Sequence, residues 1–268
     1  MLLEELPEDC IESIISYTSP WYACRLACLN RTLASAVRSD TVWGGMLPSD
    51  HALVYPRAAH LSKREIVEAL AEGISLDQGR QRYVLLRRSG GICRQLSVAA
   101  ILCTLLAQFI TIDPMVAHLL AVCWLEVTGT WKCSLPPGIY SVVWRLKVAN
   151  PQGGRCQFLS WKKPLSFVVN TSDDQDLEKE LDLGQIQTNV FEEWFEFEVG
   201  QIVVRGKGRE VKQLHLFFSI KEVDCTYWKG GLFLDCLALR PATAQDEPVY
   251  TKPSRADWKK MRVRPGVF

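Results

Sequence analysis

The chain has 268 residues, of which 48% are hydrophobic and 23% are charged, with 31 basic and 30 acidic side chains. This composition is typical of a globular protein with one or two domains and excludes a largely disordered chain. The net charge of +1 gives no general attraction to nucleic acid, which is therefore not an expected partner. The acidic N-terminus, MLLEELPEDC, lacks the features of a secretory signal, so we expect a cytoplasmic or nuclear protein.

The ten cysteines show no pattern typical of a metal site or of a disulfide framework. No C-x-x-C pair occurs among them, which argues against zinc, and disulfides are rare in proteins that are not exported. We interpret the cysteines as small buried thiols. The sequence also lacks a recognisable nucleophile–base pair and a phosphate-binding glycine loop. We therefore predict a non-catalytic protein with no metal and no cofactor.

The first 48 residues are predicted to form short helices. Pro7 suits the first helical position and is followed by two acidic residues, which favour the N-terminal end of a helix. Ser19 is the expected N-cap of a second helix, and Asp40 is the expected cap of a short third one. The apolar positions with helical spacing are Ile11, Ile14, Ile15, Ala23, Leu26, Leu33, Val37, Val42 and Trp43.

A further helix is predicted in the segment SKREIVEALAEG. Ser62 and Glu65 form a capping box, and Gly73 occupies the position where helices often end in glycine. Ile66, Val67 and Leu70 would form its buried face. This helix belongs to a predicted helical linker over residues 49–73.

Beyond residue 74 the hydrophobic period changes to two. YSVVWRLKV alternates apolar with polar residues, and WFEFEV places Trp194 and Glu196 on one face of a strand. Many short strands separated by turn residues indicate an antiparallel β-sandwich. The predicted fold class is therefore α+β, with the sandwich over residues 74–241. The alternation stops at residue 242, and we predict a mobile basic tail over 242–268.

The N-terminal segment LPEDCIESIISYTSPWYACRLACLNRTLASAVRSDTVW resembles an F-box, over residues 1–48. The resemblance implies docking to a Skp-type adaptor, which would attach the chain to the cullin of an SCF-type ubiquitin ligase. A segment this short can barely bury a core of its own, so part of its apolar surface is expected to face a partner. The alternative is that these helices pack only on the β-domain. The residues predicted to form the adaptor-binding module are Leu6, Pro7, Ile11, Ile14, Ile15, Pro20, Leu26, Val42 and Trp43.

Four segments of the β-domain resemble the phloem protein 2 lectins of plants: VCWLEVTGTW, GIYSVVWRLKV, EWFEFEVGQI and YWKGGLFLDCLALRP. The resemblance implies a jelly-roll-like sandwich that binds N-acetylglucosamine oligomers or N-glycans. Sugar-binding members of that family carry a tryptophan-rich signature before the segment WLE. Here the equivalent place reads LSVAAILCTLLAQFITI, in which Phe109 is the single aromatic residue. This departure removes the expected stacking platform.

The apolar segment 95–114 has three competing interpretations. Its uncharged stretch is near the lower length limit of a membrane span, but insertion would place strands of one sandwich on opposite sides of a bilayer. A buried helix or core strand is the favoured interpretation, and a changed gene model or splice product is the third. A membrane is therefore not a favoured partner.

The carbohydrate-binding candidates combine aromatic rings with charged groups, because a ring stacks on a sugar face and charged groups bind hydroxyls. They are Trp194, Glu196, Trp228 and Lys229, whereas Trp124 and Trp144 are interpreted as core residues. The favoured function is substrate recognition in an SCF-type ligase, with a target that includes a glycoprotein or glycan. The alternatives are a lectin with no ligase role, a lectin fold that has lost sugar binding, and a membrane-anchored receptor.

Overall fold

A computed structural model of the chain describes residues 6–101, 110–113, 116–149, 161–185, 192–206, 208 and 210–249. Short helices come first and antiparallel sheets follow, which confirms the predicted α+β class. The helices are α1 (Glu8–Ser16), α2 (Pro20–Leu26), α3 (Arg31–Ala36), α4 (Asp40–Met46), α5 (His51–Val54), α6 (Lys63–Glu72) and α7 (Val98–Ile101).

The first four helices pack around a small apolar centre. Trp43 is buried there and its indole Nε1 donates a hydrogen bond to the carbonyl of Val37 at 2.6 Å. Asn30 separates α2 from α3 and caps α3 by accepting a hydrogen bond from the amide of Leu33 at 2.8 Å. Ser19 occupies the predicted N-cap position of α2, but its side chain makes no capping bond. Backbone geometry and Pro20 therefore start this helix without help from the serine hydroxyl.

The linker helix α6 packs between the helical module and the β-domain. The predicted capping box of Ser62 and Glu65 is present, and Gly73 ends the helix with a φ of 94°. The α6 side chains at 66, 67 and 70 are buried in one hydrophobic cluster that includes residues of both modules. The Tyr83 hydroxyl also donates to the Asp50 carboxylate at 2.8 Å, in a buried position. The two modules therefore share one core.

The β-domain consists of an eight-stranded and a four-stranded antiparallel sheet. In the larger sheet, β12 pairs with β3 and β5 and, along its whole length, with β7, which in turn pairs with β10. The smaller sheet has the order β6-β11-β8-β9. The strands are β1 (Ile74–Leu76), β2 (Gln81–Leu85), β3 (Ile92–Ser97), β4 (Ile110–Asp113), β5 (Val116–Leu119), β6 (Leu125–Leu135), β7 (Gly138–Val148), β8 (Leu165–Thr171), β9 (Asp176–Leu181), β10 (Trp194–Val204), β11 (Lys212–Glu222) and β12 (Leu232–Pro241).

Aromatic side chains join the two sheets. Trp144 of β7 is buried and contacts Phe167 of β8 and Phe218 of β11, with ring centroids 6.2 and 5.6 Å apart. The alternating residues of β7 that the sequence places on one face, from Tyr140 to Val148, are all buried. The period of two therefore predicts the inward face of this strand correctly.

The apolar segment begins as part of the larger sheet. Residues 92–97 form β3, which is buried throughout and pairs with both β2 and β12. The short helix α7 follows, and residues 110–113 form β4. Residues 102–109 and 114–115 lie outside the described part of the chain. Within the described part, no helix is long and apolar enough to span a membrane.

The predicted mobile tail is wrong for residues 242–249, which we call the strap. Ala244 and Val249 are buried against a second small apolar cluster on the outer face of the larger sheet. The Glu247 carboxylate accepts the amide hydrogens of Arg88 and Ser89 at 3.0 and 2.8 Å. The sequence conceals this packing because only two apolar side chains of the strap are buried. Residues 250–268 lie outside the described residues.

We predict that Phe167→Ala lowers the free energy of unfolding by about 3–5 kcal/mol, because it leaves a cavity between the sheets where the ring is fully buried. Phe217→Ala is the matched control, since the Phe217 ring lies on the smaller sheet and is 51% exposed. We expect that control to change stability by less than about 0.5 kcal/mol. Urea denaturation of the full chain measures both, and equal losses would contradict the core assignment.

Candidate functional site

The first helix presents an apolar outer stripe that consists of Pro7, Cys10, Ile14 and Tyr17. These residues recur at intervals of three and four, so they lie on one side of α1, and all four are exposed. Ile14 is 46% exposed and Tyr17 is 83% exposed. Ile11 and Ile15 face the opposite way and are buried. The helix therefore has one apolar side in the core and a second apolar side in solvent.

The predicted adaptor-binding residues divide into two groups. Pro7 and Ile14 are exposed and Leu6 and Leu26 are half-buried, so these four are available to a partner. The remaining five are buried and pack inside the helical module. This corrects their prediction as partner contacts to a packing role: Ile11, Ile15, Pro20, Val42 and Trp43. The prediction did not include Tyr17 and Leu29, which are exposed. The intervals of three and four residues that lead from Pro7 to Tyr17 could have identified Tyr17 as a surface residue from the sequence.

On the β-domain, Trp194 lies at the outer face of the larger sheet. Its ring is half-buried beneath two cations, with Arg145 Cζ 4.4 Å and Lys147 Nζ 5.6 Å from the ring centroid. Lys147 Nζ also lies 4.1 Å from the ring centroid of Phe233, and that ring stacks on His118 with centroids 4.0 Å apart. Four strands thus contribute to one row of alternating rings and cations. The cations cover part of the Trp194 surface that a sugar ring would need.

Glu196 shares the strand face of Trp194, as the sequence predicts, but its carboxylate fastens the strap. Oε2 accepts a hydrogen bond from Arg240 at 2.6 Å, and Oε1 accepts the amide hydrogen of Val249 at 2.7 Å. Arg240 donates in addition to the Glu247 carbonyl at 3.1 Å. We therefore assign Glu196 to this structural contact instead of a carbohydrate contact.

Lys229 is not a surface contact, which corrects its assignment as a carbohydrate-binding residue. The side chain is 0% exposed and forms an ion pair with the buried carboxylate of Glu222. Its ammonium also donates to the carbonyls of Cys123, Asp224 and Glu222 at 2.6, 2.9 and 3.3 Å. A buried ammonium requires such partners because its desolvation is costly. The sequence could not distinguish this buried cation from an exposed one.

Two tryptophans remain exposed near the start of β12. Trp228 is 53% exposed, as its assignment to a contact surface requires, and Trp124 is 50% exposed. The interpretation of Trp124 as a core residue is wrong, whereas that of Trp144 is confirmed. Residues 122 and 229 form an antiparallel bridge, so the segments that carry the two tryptophans run side by side.

The cysteines and other metal-ligating side chains can be assessed for the described residues only. In that part of the chain, no group of three His, Cys, Asp or Glu side chains could hold a metal ion. The interpretation of the cysteines as buried is correct for Cys93, Cys133 and Cys236. It is wrong for Cys10, Cys24, Cys28 and Cys225, which are exposed.

Family models match both modules: residues 3–44 match the F-box domain and residues 108–241 match Phloem protein 2. The F-box protein PP2-A15 of Arabidopsis thaliana is 31% identical over an alignment of length 267, and the match covers 89% of this chain and 88% of the relative. The F-box protein PP2-A11 of the same organism is 29% identical and covers 91% and 90% of the two chains.

Among solved structures, a GH26-CBM35 β-(1,4)-mannanase of Podospora anserina has 11% identity and a TM-score of 0.32. The match covers 56% of this chain and 28% of the mannanase. The Cry4Aa toxin of Bacillus thuringiensis has 10% identity and a TM-score of 0.36, with coverage of 56% and 23%.

We predict that Lys229→Met lowers the free energy of unfolding by about 3–5 kcal/mol, because it leaves Glu222 charged and buried without its cation. Lys221→Met is the matched control, since Lys221 pairs with Glu126 at 3.0 Å on the surface, where both side chains are well exposed. An exposed pair contributes about 0–1 kcal/mol. Chemical denaturation measures the stability of the two variants. A Lys229 variant as stable as the control would refute the stabilising role of the buried Lys229–Glu222 ion pair.

Proposed function

We infer that this chain, which belongs to the family of plant F-box proteins with a phloem protein 2 domain, is the substrate-recognition subunit of an SCF-type ubiquitin ligase. The F-box docks to a Skp-type adaptor, the adaptor attaches the chain to a cullin, and the β-domain selects the target. The chain itself is non-catalytic and uses no cofactor, because the ubiquitin chemistry belongs to partner proteins. We propose that it acts in the cytoplasm or the nucleus.

The outer stripe of α1 is the observation that carries this proposal. The opposite side of the same helix already packs in the core, so packing of the core does not require the stripe. Contiguous exposed apolar residues typically mark a protein interface. A partner that covers Ile14 and Tyr17 removes these side chains from water and contributes binding energy in proportion to the apolar area buried.

The shared core between the F-box and the β-domain supports a positioning role. The shared core and the Tyr83–Asp50 hydrogen bond fix the helices on the β-domain. A target that is held by the β-domain then has a defined position relative to the adaptor. Such an arrangement favours transfer chemistry, because holding reactants in place reduces the entropy that must be lost for them to meet.

We propose a glycoprotein or glycan as the target, bound through exposed aromatic side chains near the start of β12. Trp228 and Trp124 offer large rigid faces for stacking on sugar rings. The tryptophan-rich signature of the family's sugar-binding members is missing from residues 96–112. These two tryptophans would therefore replace the missing stacking platform. If they do not bind sugar, the β-domain selects a protein surface instead.

We predict that Ile14→Asp combined with Tyr17→Asp weakens adaptor binding at least about tenfold, because two carboxylates would be desolvated in an apolar interface. The control is Leu53→Asp, which places a charge at another highly exposed apolar position of the helical region. Calorimetry with purified adaptor measures the affinities, and circular dichroism checks that each variant is folded. Unchanged affinity of the folded double variant would contradict the proposed docking surface.

We predict that the full chain binds N-acetylglucosamine oligomers on a glycan array and that Trp228→Ala reduces this binding at least about tenfold. Phe217→Ala is the control, since it removes an exposed ring elsewhere on the sandwich. Free oligomer added as a competitor must abolish the signal. If the wild-type chain does not bind, the glycan target is wrong and a target recognised by its protein surface takes its place.

A further inference from the structure

Two cysteines that are distant in the sequence meet at the end of the sandwich where β12 begins. Cys123 lies just before β6, and Cys225 lies in the turn between β11 and β12. The side chain of Cys225 interacts with that of Cys123. Both are free thiols in the structure. This pairing involves neither the outer stripe of α1 nor the rings of the exposed tryptophans.

The Lys229 ammonium sets the distance between the two segments. It donates hydrogen bonds to the carbonyl of Cys123 at 2.6 Å and to that of Asp224, the neighbour of Cys225, at 2.9 Å. The backbones of Val122 and Lys229 also exchange two hydrogen bonds, at 2.9 and 2.8 Å. These contacts hold the backbone at Cys123 close to the backbone at Asp224, the residue before Cys225.

The turn that carries Cys225 has further supports on its other side. The Asp224 carboxylate accepts the amide hydrogen of Thr226 at 2.9 Å and pairs with the Lys163 ammonium at 2.8 Å. The Glu222 carboxylate accepts the amide hydrogen of Asp224 at 3.0 Å. These bonds hold the turn in the conformation that presents Cys225 to Cys123.

Accessibility separates this pair from the other cysteines in the described part of the β-domain. Cys225 is exposed and Cys123 is half-buried. A small oxidant in solvent can therefore reach the Cys225 thiol, and the Cys123 thiol is the one that resolves the oxidised product. The β-domain cysteines Cys93, Cys133 and Cys236 are buried and so are shielded from solvent. Susceptibility to oxidation follows solvent access and the proximity of a resolving thiol.

We propose that Cys123 and Cys225 form a thiol modification site, which hydrogen peroxide converts reversibly into a disulfide. The Cys225 thiolate attacks the peroxide, so that an S–O bond forms, the O–O bond breaks and water leaves after proton transfer. The Cys123 thiol then attacks the sulfenic sulfur, forming the S–S bond and releasing a second water. The two cysteines are oxidised and one hydrogen peroxide is reduced. An excess of external dithiol reverses the change by thiol–disulfide exchange.

The surroundings of the Cys225 thiol slow its oxidation at neutral pH. Desolvation and contact with Cys123 raise the pKa of Cys225, the nearby Asp224 carboxylate adds to this rise, and the Lys229 ammonium opposes it. Because the thiolate is the reactive form, oxidation accelerates as the pH increases toward that pKa. The disulfide would fasten the turn that precedes Trp228 to the segment that carries Trp124.

The test exposes the full-length chain to a fivefold excess of hydrogen peroxide at pH 8 and maps its cysteines by mass spectrometry without reduction. We expect a cross-linked peptide pair containing Cys123 and Cys225, a mass loss of two hydrogens, and full recovery after dithiothreitol. Cys225→Ser should abolish the cross-link. Cys24→Ser, which changes an exposed cysteine of α2, should leave it intact.

Three outcomes would overturn the proposal. One is that Cys123 and Cys225 both stay reduced while other exposed cysteines are oxidised. Another is that Cys225 joins a cysteine other than Cys123, or joins several without preference. The third is that the same cross-link forms equally fast in urea-unfolded protein, since the proposal requires the folded contact. None of these results depends on adaptor or glycan binding.

Discussion

The pairing of β12 with three other strands holds the larger sheet together. One edge of β12 is occupied by β5 and β3 in succession, and the other edge is occupied by β7 over its full length. The last strand of the sandwich must therefore join strands that come from the beginning and the middle of the domain. Contacts between residues so far apart in sequence are costly in loop-closure entropy, which makes this kind of topology slow to fold.

Both ends of β12 continue into features that stabilise the domain and present its surface. Before the strand, buried Lys229 joins the segments around Cys123 and Asp224, and exposed Trp228 stands beside it. After the strand, Arg240 connects Glu196 with the strap. Lys229 and Glu196, which the sequence suggests as ligand contacts, thus have structural roles. Lys229 joins segments before β12, and Glu196 bonds to Arg240 near the end of β12. Lys229 is itself buried and pairs with buried Glu222, whereas Glu196 pairs with buried Arg240. In both pairs, loss of one charge would leave a buried charge without its partner, which is costly.

The connection between the F-box and the β-domain has a consequence for function. Helix α6 is capped at its start, packed along its length and ended by a glycine, and its buried residues belong to the same cluster as those of the sandwich. A mutation deep in either module is therefore expected to affect the other module, since the two share a core. The side of α1 that faces solvent is free from this constraint, and it is the side that the proposed adaptor would cover.

The sequence alone determined the elements that depend on local chemistry. Periodicity identified the amphipathic face of α1, helix α6 and long strands such as β7 and β10. The Ser62–Glu65 spacing identified the capping box, and the order of motifs identified an F-box followed by a phloem protein 2 domain. These features follow from residues that are close together in the chain. They gave the fold class and the family, and with them the favoured function.

Only the tertiary structure decided which side chains are available at the surface. The residue types of Lys229, Glu196 and Trp124 do not reveal that the first is buried, the second is hydrogen-bonded and the third is exposed. Glu196, for example, pairs with Arg240, which lies 44 residues away in the sequence. The strap was equally hidden, because a short segment with two buried apolar residues has no measurable period. The pairing of a polar side chain and the exposure of a single aromatic one arise from contacts between distant segments, which the local pattern does not specify.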